Sequence, residues 1–177
     1  MQPPPPAPFS LRNMQLADLK TIGTIDRLAY PTPTRESLFR HELSDNKMAH
    51  YQVLVEQRTV VGFAGFWLIG DEIHVSTIAV HPEQQGRGLG ELLFLNILLQ
   101  AYDHPACLVT LEVRRSNLPA QKLYEKYQFV VVGERRGYYR DTGEDALLMT
   151  VTPLDGRYHQ FLIAQQTALY ERLQTEA

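Results

Sequence analysis

With 177 residues, of which 44% are apolar and 21% charged, the chain is long enough to bury a sizeable core. That composition argues against a disordered or fibrous protein. A net charge of −3, without any run of Lys or Arg, argues against nucleic acid as the primary ligand. Cys107 is the one cysteine, so no intrachain disulfide can form, and the six histidines show no paired spacing suited to a metal, so none is expected.

Met1 to Pro8 carries five prolines and no charge, lacks the pattern of a secretory signal, and reads as a flexible tail outside the fold. Phe9 to Arg12 alternates apolar and polar residues and predicts a short strand. Leu19, Ile22, Ile25 and Leu28, behind Asp18, predict a helix to about Ala29 that Gly23 weakens. Pro31 and Pro33 interrupt the chain, and Thr34 is expected to cap a second helix reaching about Ser44. Three strands follow, Tyr51 to Glu56, Thr59 to Leu68 and Ile73 to Val80, joined by tight turns into an antiparallel meander. Trp67 is expected to pack beside the first two helices, and His74 and His81 to fill exposed polar roles.

The meander leads through Gln85-Gly86-Arg87-Gly88-Leu89-Gly90 into a strongly apolar helix ending near Tyr102. Glycines at a strand-to-helix junction let the backbone turn tightly and approach a ligand. The first amides of the helix and the positive end of its dipole then favour an anion, usually a phosphate. The spacing fits neither the dinucleotide fingerprint nor the P-loop, so the loop alone leaves open a plain flexible turn. The apolar run from Leu92 to Leu99 is too short to span a bilayer, and a soluble, cytoplasmic protein is expected.

Cys107 to Arg114 reads as a strand with Val109, Leu111 and Val113 on one face and Leu108, Thr110, Glu112 and Arg114 on the other; Cys107 is taken as a small apolar residue at its buried start. Ser116 or Asn117 caps a helix with Pro119 in its first turn and Ala120, Leu123, Tyr124 and Tyr127 on one stripe. Phe129 to Val132 and Ala146 to Val151 are two further strands joined by a polar loop, and Asp155 or Gly156 opens a last helix to about Gln174. This order predicts a mixed α/β sheet, mostly antiparallel, with helices on both faces. Strands 73–80 and 107–114 would be parallel neighbours across a right-handed crossover and would splay apart to form a ligand slot.

Gln85-x-x-Gly88-x-Gly90, preceded by Ile78-Ala79-Val80-His81-Pro82, resembles the coenzyme A loop of the GCN5-related N-acetyltransferases. Leu111-Glu112-Val113-Arg114-Arg115-Ser116-Asn117, then Ala120, Leu123-Tyr124-Glu125, Phe129 and Gly133, resembles the second conserved segment of that family, and the likeness covers roughly residues 9–152. It implies the acyl-CoA N-acyltransferase fold over 9–152; residues 153–177, with the last helix, are a C-terminal helical extension past the usual end of that family. Arg135-Arg136-Gly137-Tyr138-Tyr139, with Glu144-Asp145-Ala146 and Met149, is similar to the ribosomal-protein alanine N-acetyltransferases within that family. Tyr30-Pro31-Thr32-Pro33-Thr34 departs from that branch, which usually places a Trp after the proline.

The resemblance implies acetyl-CoA as the donor, without a metal. Ile78, Ala79 and Val80 would pair with its pantetheine, and Gln85, Gly86, Arg87, Gly88, Leu89, Gly90 and Glu91 would line the pyrophosphate, with Asn117 as a further ligand beside its capping role. Glu112 would be the general base, partial burial raising its pKa; the residues alone equally allow an ion pair with Arg114 or Arg87. Tyr124 is either a core aromatic or the acid that protonates the departing thiolate, and the resemblance implies the acid. Tyr138 and Tyr139 would shape the acceptor slot for a protein N-terminus, expected to be that of a small-subunit ribosomal protein. A small-molecule amine as acceptor, or a non-catalytic acyl-CoA-binding module, are the alternative readings. Neither nucleic acid nor membrane is an expected partner.

Overall fold

The computed structural model describes residues 3–176. Seven strands form one sheet in the order β1-β2-β3-β4-β5-β7-β6, from β1 (Phe9–Asn13), β2 (Ala49–Glu56), β3 (Thr59–Ile69), β4 (Glu72–Val80), β5 (Leu108–Arg114), β6 (Val130–Tyr139) and β7 (Glu144–Val151). Every neighbouring pair is antiparallel except β4 with β5, as the meander and crossover predicted. The helices are α1 (Leu19–Ala29), α2 (Glu36–Ser44), α3 (Leu89–Gln100), α4 (Leu118–Lys126) and α5 (Gly156–Glu176).

Alternation along the strands feeds two cores. On one face Val53 and Val55 of β2 and Phe63 of β3 pack with Leu19, Ile22 and Ile25 of α1 and Phe39 of α2. On the other face Leu54, Ala64, Phe66, Val109, Leu111 and Val113 meet α3, α5 and the apolar side of α4. α3 is apolar nearly all round because it lies against β3 and β4 on one side and α5 on the other. Leu162, Leu169 and Leu173 bury the inner stripe of α5, which belongs to the same core.

Four local expectations are corrected. Arg35, rather than Thr34, precedes α2, and the Thr34 amide instead donates to Asp26 Oδ2 at 2.5 Å. Cys107 is exposed ahead of β5, its Sγ 3.2 Å from Asp71 Oδ2. Most of the polar stretch expected as a loop continues β6 and β7, with a bulge between Arg135 and Tyr139 and Gly137 in the left-handed region. The proline segment is not free of the domain, since Pro6 is buried and the Pro8 carbonyl accepts from the Gln57 amide at 2.8 Å; residues 1 and 2 lie outside the described residues.

β3 approaches β4 and α3 closely enough that a Cβ on Gly62 would lie 2.9 Å from the Ala79 carbonyl oxygen and 3.1 Å from Leu93 Cδ1. Backbone on one side and core on the other leave little room to yield. Gly62→Ala is expected to lower stability by about 1–3 kcal/mol, read as a reduced midpoint in chemical denaturation with an unchanged m-value.

Candidate active site

β4 and β5 pair at only three positions, Glu72 with Leu108, Ile73 with Val109 and His74 with Thr110. Beyond them β4 continues beside β3 to Val80 and β5 continues beside β7 to Arg114, so the two strands part into a wedge. The wedge opens toward the glycine loop. Gln85 closes one edge, its Nε2 donating to the Val80 carbonyl at 3.2 Å. Gly86 and Gly88 have φ of 79° and 76°, values that favour glycine, and Gly88 begins α3. The first amides of α3 therefore have no partners within the helix and face the junction.

At the apex of the wedge the structure joins two residues that the sequence did not connect. His74 Nε2 lies 2.6 Å from Glu112 Oε2, and Arg135 Nε lies 3.0 Å from Oε1 of the same carboxylate. The Glu112 side chain is only 6% exposed. Burial pushes its pKa up, but the bond to His74 and the charges of His74 and Arg135 outweigh this and hold it below the ordinary glutamate value. The expected upward shift is thus reversed. The anticipated ion-pair partners are engaged elsewhere, Arg114 with Asp141 and Glu144, and Arg87 with Glu56. His74, expected to be merely an exposed polar residue, is drawn into this pair beside Trp67, whose indole donates to Glu42 of α2 at 2.6 Å.

Tyrosines surround the opening. Burial raises the Tyr124 pKa, with the Tyr30 and Tyr139 phenols near enough to add to the shift. It is therefore a weaker acid than a free phenol and packs on Phe94, 4.9 Å between ring centroids. Tyr139 is pushed up to about 12 by burial and stacks under Arg114, whose Cζ is 3.9 Å from the ring centroid. Tyr138 is 44% exposed and lies edge-on to Tyr139. Tyr30, unremarked in the sequence, accepts from the Ile78 amide at 3.2 Å and donates to the Ile78 carbonyl at 2.6 Å, taking the place that a neighbouring strand would fill. Ile78 thus has both backbone groups occupied, and Val80 its carbonyl.

Asn117 caps α4 as expected, its Oδ1 accepting from the Ala120 amide at 3.2 Å. The Glu91 carboxylate turns from the loop into a cluster with Lys126, Tyr127 and Arg172. A cavity of about 190 Å³ near Met14, His50 and Gln100 contains none of these residues, so the open wedge is the candidate site. The arrangement can hold a phosphate at the loop, lay an extended ligand along β4, and move a proton at the apex.

The acetyltransferase (GNAT) family profile matches residues 16–129. A Bacillus subtilis protein provisionally named as a ribosomal protein bS18-alanine N-acetyltransferase is 39% identical over 143 residues, covering 81% of this chain and 95% of that protein. An N-alpha-acetyltransferase of Mycobacterium tuberculosis is 39% identical over 148 residues, covering 80% and 91%. Among solved structures, the ribosomal-protein-S18-alanine N-acetyltransferase of Escherichia coli superposes with a TM-score of 0.75 at 28% identity, covering 82% of this chain and 94% of that one.

The depressed Glu112 pKa fixes a sign. A carboxyl group whose folded pKa lies below its unfolded value stabilises the fold fully above the unfolded value, about 4.3; that stabilisation is lost as pH falls through the lower, folded value. The stability lost in Glu112→Gln, from urea denaturation of both proteins, is expected to be largest near neutrality and to shrink in acid below about pH 4. A difference that instead grows in acid would contradict the assignment.

Proposed function

The chain belongs to the acetyltransferase (GNAT) family, and we propose that it acetylates the free α-amine of a protein N-terminus, with acetyl-CoA as donor and the N-terminal alanine of a small-subunit ribosomal protein as acceptor. The observation that carries the mechanism is the half-buried Glu112–His74 pair at the apex of the wedge, with Tyr124, Tyr138 and Tyr139 at its mouth.

The donor's pyrophosphate would take the amides of the loop from Gly86 to Glu91, and its pantetheine would lie along Ile78, Ala79 and Val80, with Asn117 at the far side. A thioester carbonyl placed on the Ile78 amide replaces the longer of the two Tyr30 bonds, at 3.2 Å, and leaves the shorter one intact. An N-terminal α-amine has a pKa of about 8, so a modest base suffices near neutral pH. Glu112 stays ionised, too weak a base to hold the proton well by itself. It orients the His74 ring and stabilises it once protonated, so the two act as one base toward the amine.

Attack of the amine on the thioester carbonyl forms the C–N bond, the C–S bond then breaks, and the thiolate takes a proton from Tyr124, which desolvation keeps protonated until that step and which regains a proton from solvent as the products leave. Tyr138 and Tyr139 line the acceptor side. Transfer is direct, in a ternary complex. Cys107 is no nucleophile for an acetyl-enzyme, because it stands ahead of β5 with its pKa raised by the bond to Asp71.

The reading is tested by incubating the enzyme with acetyl-CoA and peptides bearing free N-termini, with polyamines and free amino acids as competing acceptors. One acetyl group on the α-amine of an alanine-initiated ribosomal peptide is the expected product by tandem mass spectrometry. Turnover of the small amines alone would favour a small-molecule acceptor. Tyr124→Phe, and His74→Ala combined with Glu112→Gln, should each reduce kcat by about 10²–10⁴-fold while donor binding stays near that of the wild type.

A further inference from the structure

Arg114 ends β5, two residues beyond Glu112 and on the same side of the sheet. Its guanidinium is enclosed by the turn that joins β6 to β7. Nη2 donates to Asp141 Oδ2 at 2.7 Å, and Nη1 donates to Thr142 Oγ1 at 3.1 Å and to Glu144 Oε2 at 3.4 Å. The other oxygen of Glu144 accepts from the Ser116 amide at 2.6 Å, and the Gly143 amide returns to the Tyr139 carbonyl at 2.7 Å. The turn is folded around one cation.

The same guanidinium lies over Tyr139, with Cζ 3.9 Å from the ring centroid, and Tyr138 stands edge-on to that ring at 5.1 Å. A guanidinium is planar, delocalised and weakly hydrated, so it can cover an aromatic face while its N–H groups bind oxygens in its own plane. The strand ladder does not hold the tyrosines by itself, because the pairing of β6 with β7 is interrupted between Arg135 and Tyr139. Burial pushes the Tyr139 pKa up to about 12, Arg114 opposes the rise, and Glu112 and Tyr30 both lie near enough to add to it. The phenol is therefore within electrostatic reach of β5 on one side of the slot and of the end of α1 on the other.

We propose that Arg114 is a positioning residue of the acceptor slot, binding the β6–β7 turn and covering Tyr139 so that both tyrosines stay where a peptide N-terminus would pass. This rests on the reading of Tyr138 and Tyr139 as the acceptor side. It makes Arg114 a determinant of acceptor affinity that acts through the Tyr139 ring.

The test compares the wild type with Arg114→Lys, Tyr139→Leu and the double variant. The kinetics use an alanine-initiated ribosomal peptide at saturating acetyl-CoA, alongside calorimetric titration of coenzyme A. A lysine retains a charge for the turn but has no plane to lay on the ring. Arg114→Lys is expected to raise KM for the peptide about tenfold, with kcat within about twofold of the wild type and Kd for coenzyme A unchanged. In the Tyr139→Leu background the same substitution should add little, because its route to the acceptor is already gone. An unchanged peptide KM would overturn the proposal. So would an equal loss of coenzyme A affinity, which would mean that Arg114 only holds the fold together. A rise in KM undiminished in the Tyr139→Leu background would overturn it as well. A wild type that binds coenzyme A yet acetylates no N-terminal peptide would remove the reading of the acceptor side itself, and this role with it.

Discussion

The pairing of β4 with β5 stops after three residue pairs, and the site is built around the edges that this parting leaves exposed. Strand N–H and C=O groups buried without partners are costly, so whatever fills the wedge must replace the missing backbone. The Tyr30 hydroxyl does so at Ile78, and the Gln85 side-chain amide does so at Val80. An extended amide-bearing ligand can do the same job, because it offers the donors and acceptors that a strand would. The backbone edge is therefore complementary to a chain of peptide-like groups, which is the pairing the proposed function assigns to the donor.

Two carboxylates of unlike purpose show how burial and charge are balanced around that slot. Glu112 and Glu91 are both desolvated, and in both the loss of water is outweighed by cationic and hydrogen-bonding partners that lower the pKa. The partners differ in kind. Lys126 and Arg172 are fixed charges that tie α4 and α5 to the start of α3. The partner of Glu112 is instead an imidazole, the kind of group that general acid–base chemistry uses, and the proposed reaction places proton exchange there. A lysine in place of His74 would give a tether, while the imidazole permits transfer.

How legible this was depended on sequence distance. The apolar alternation of β2 to β5, the glycine loop and the Asn117 cap follow from neighbours within one element, and the expected mixed sheet with one parallel pair follows from their order. Glu112 could be singled out as a carboxylate on an apolar strand, but its partner lies 38 residues away on another strand. The direction of its pKa shift therefore could not be read from burial alone. Tyr30 with Ile78 spans 48 residues and Glu91 with Arg172 spans 81, so neither periodicity nor motif spacing reports them. Two signals were present. His74 and Glu112 stand on strands whose parallel pairing was expected, and Arg172 follows Leu169 by one short step on a helix with a recognisable inner stripe.

In the proposed reaction the partly buried phenol of Tyr124 would set the order of the steps. A group whose pKa is raised by desolvation does not release a proton to water or to the neutral thioester, so it rests as a hydrogen-bond donor while the amine attacks. In the proposed reaction transfer waits until negative charge develops on sulfur, whose basicity desolvation raises in the same way as it raises that of the phenol. In the same proposal the proton lost by the amine would move along a different route, toward His74 and Glu112 at the apex of the wedge. Separating the two routes keeps the acid from short-circuiting the base. That separation comes from the strand geometry, because Glu112 and His74 lie on the parting strands and Tyr124 on the helix that follows.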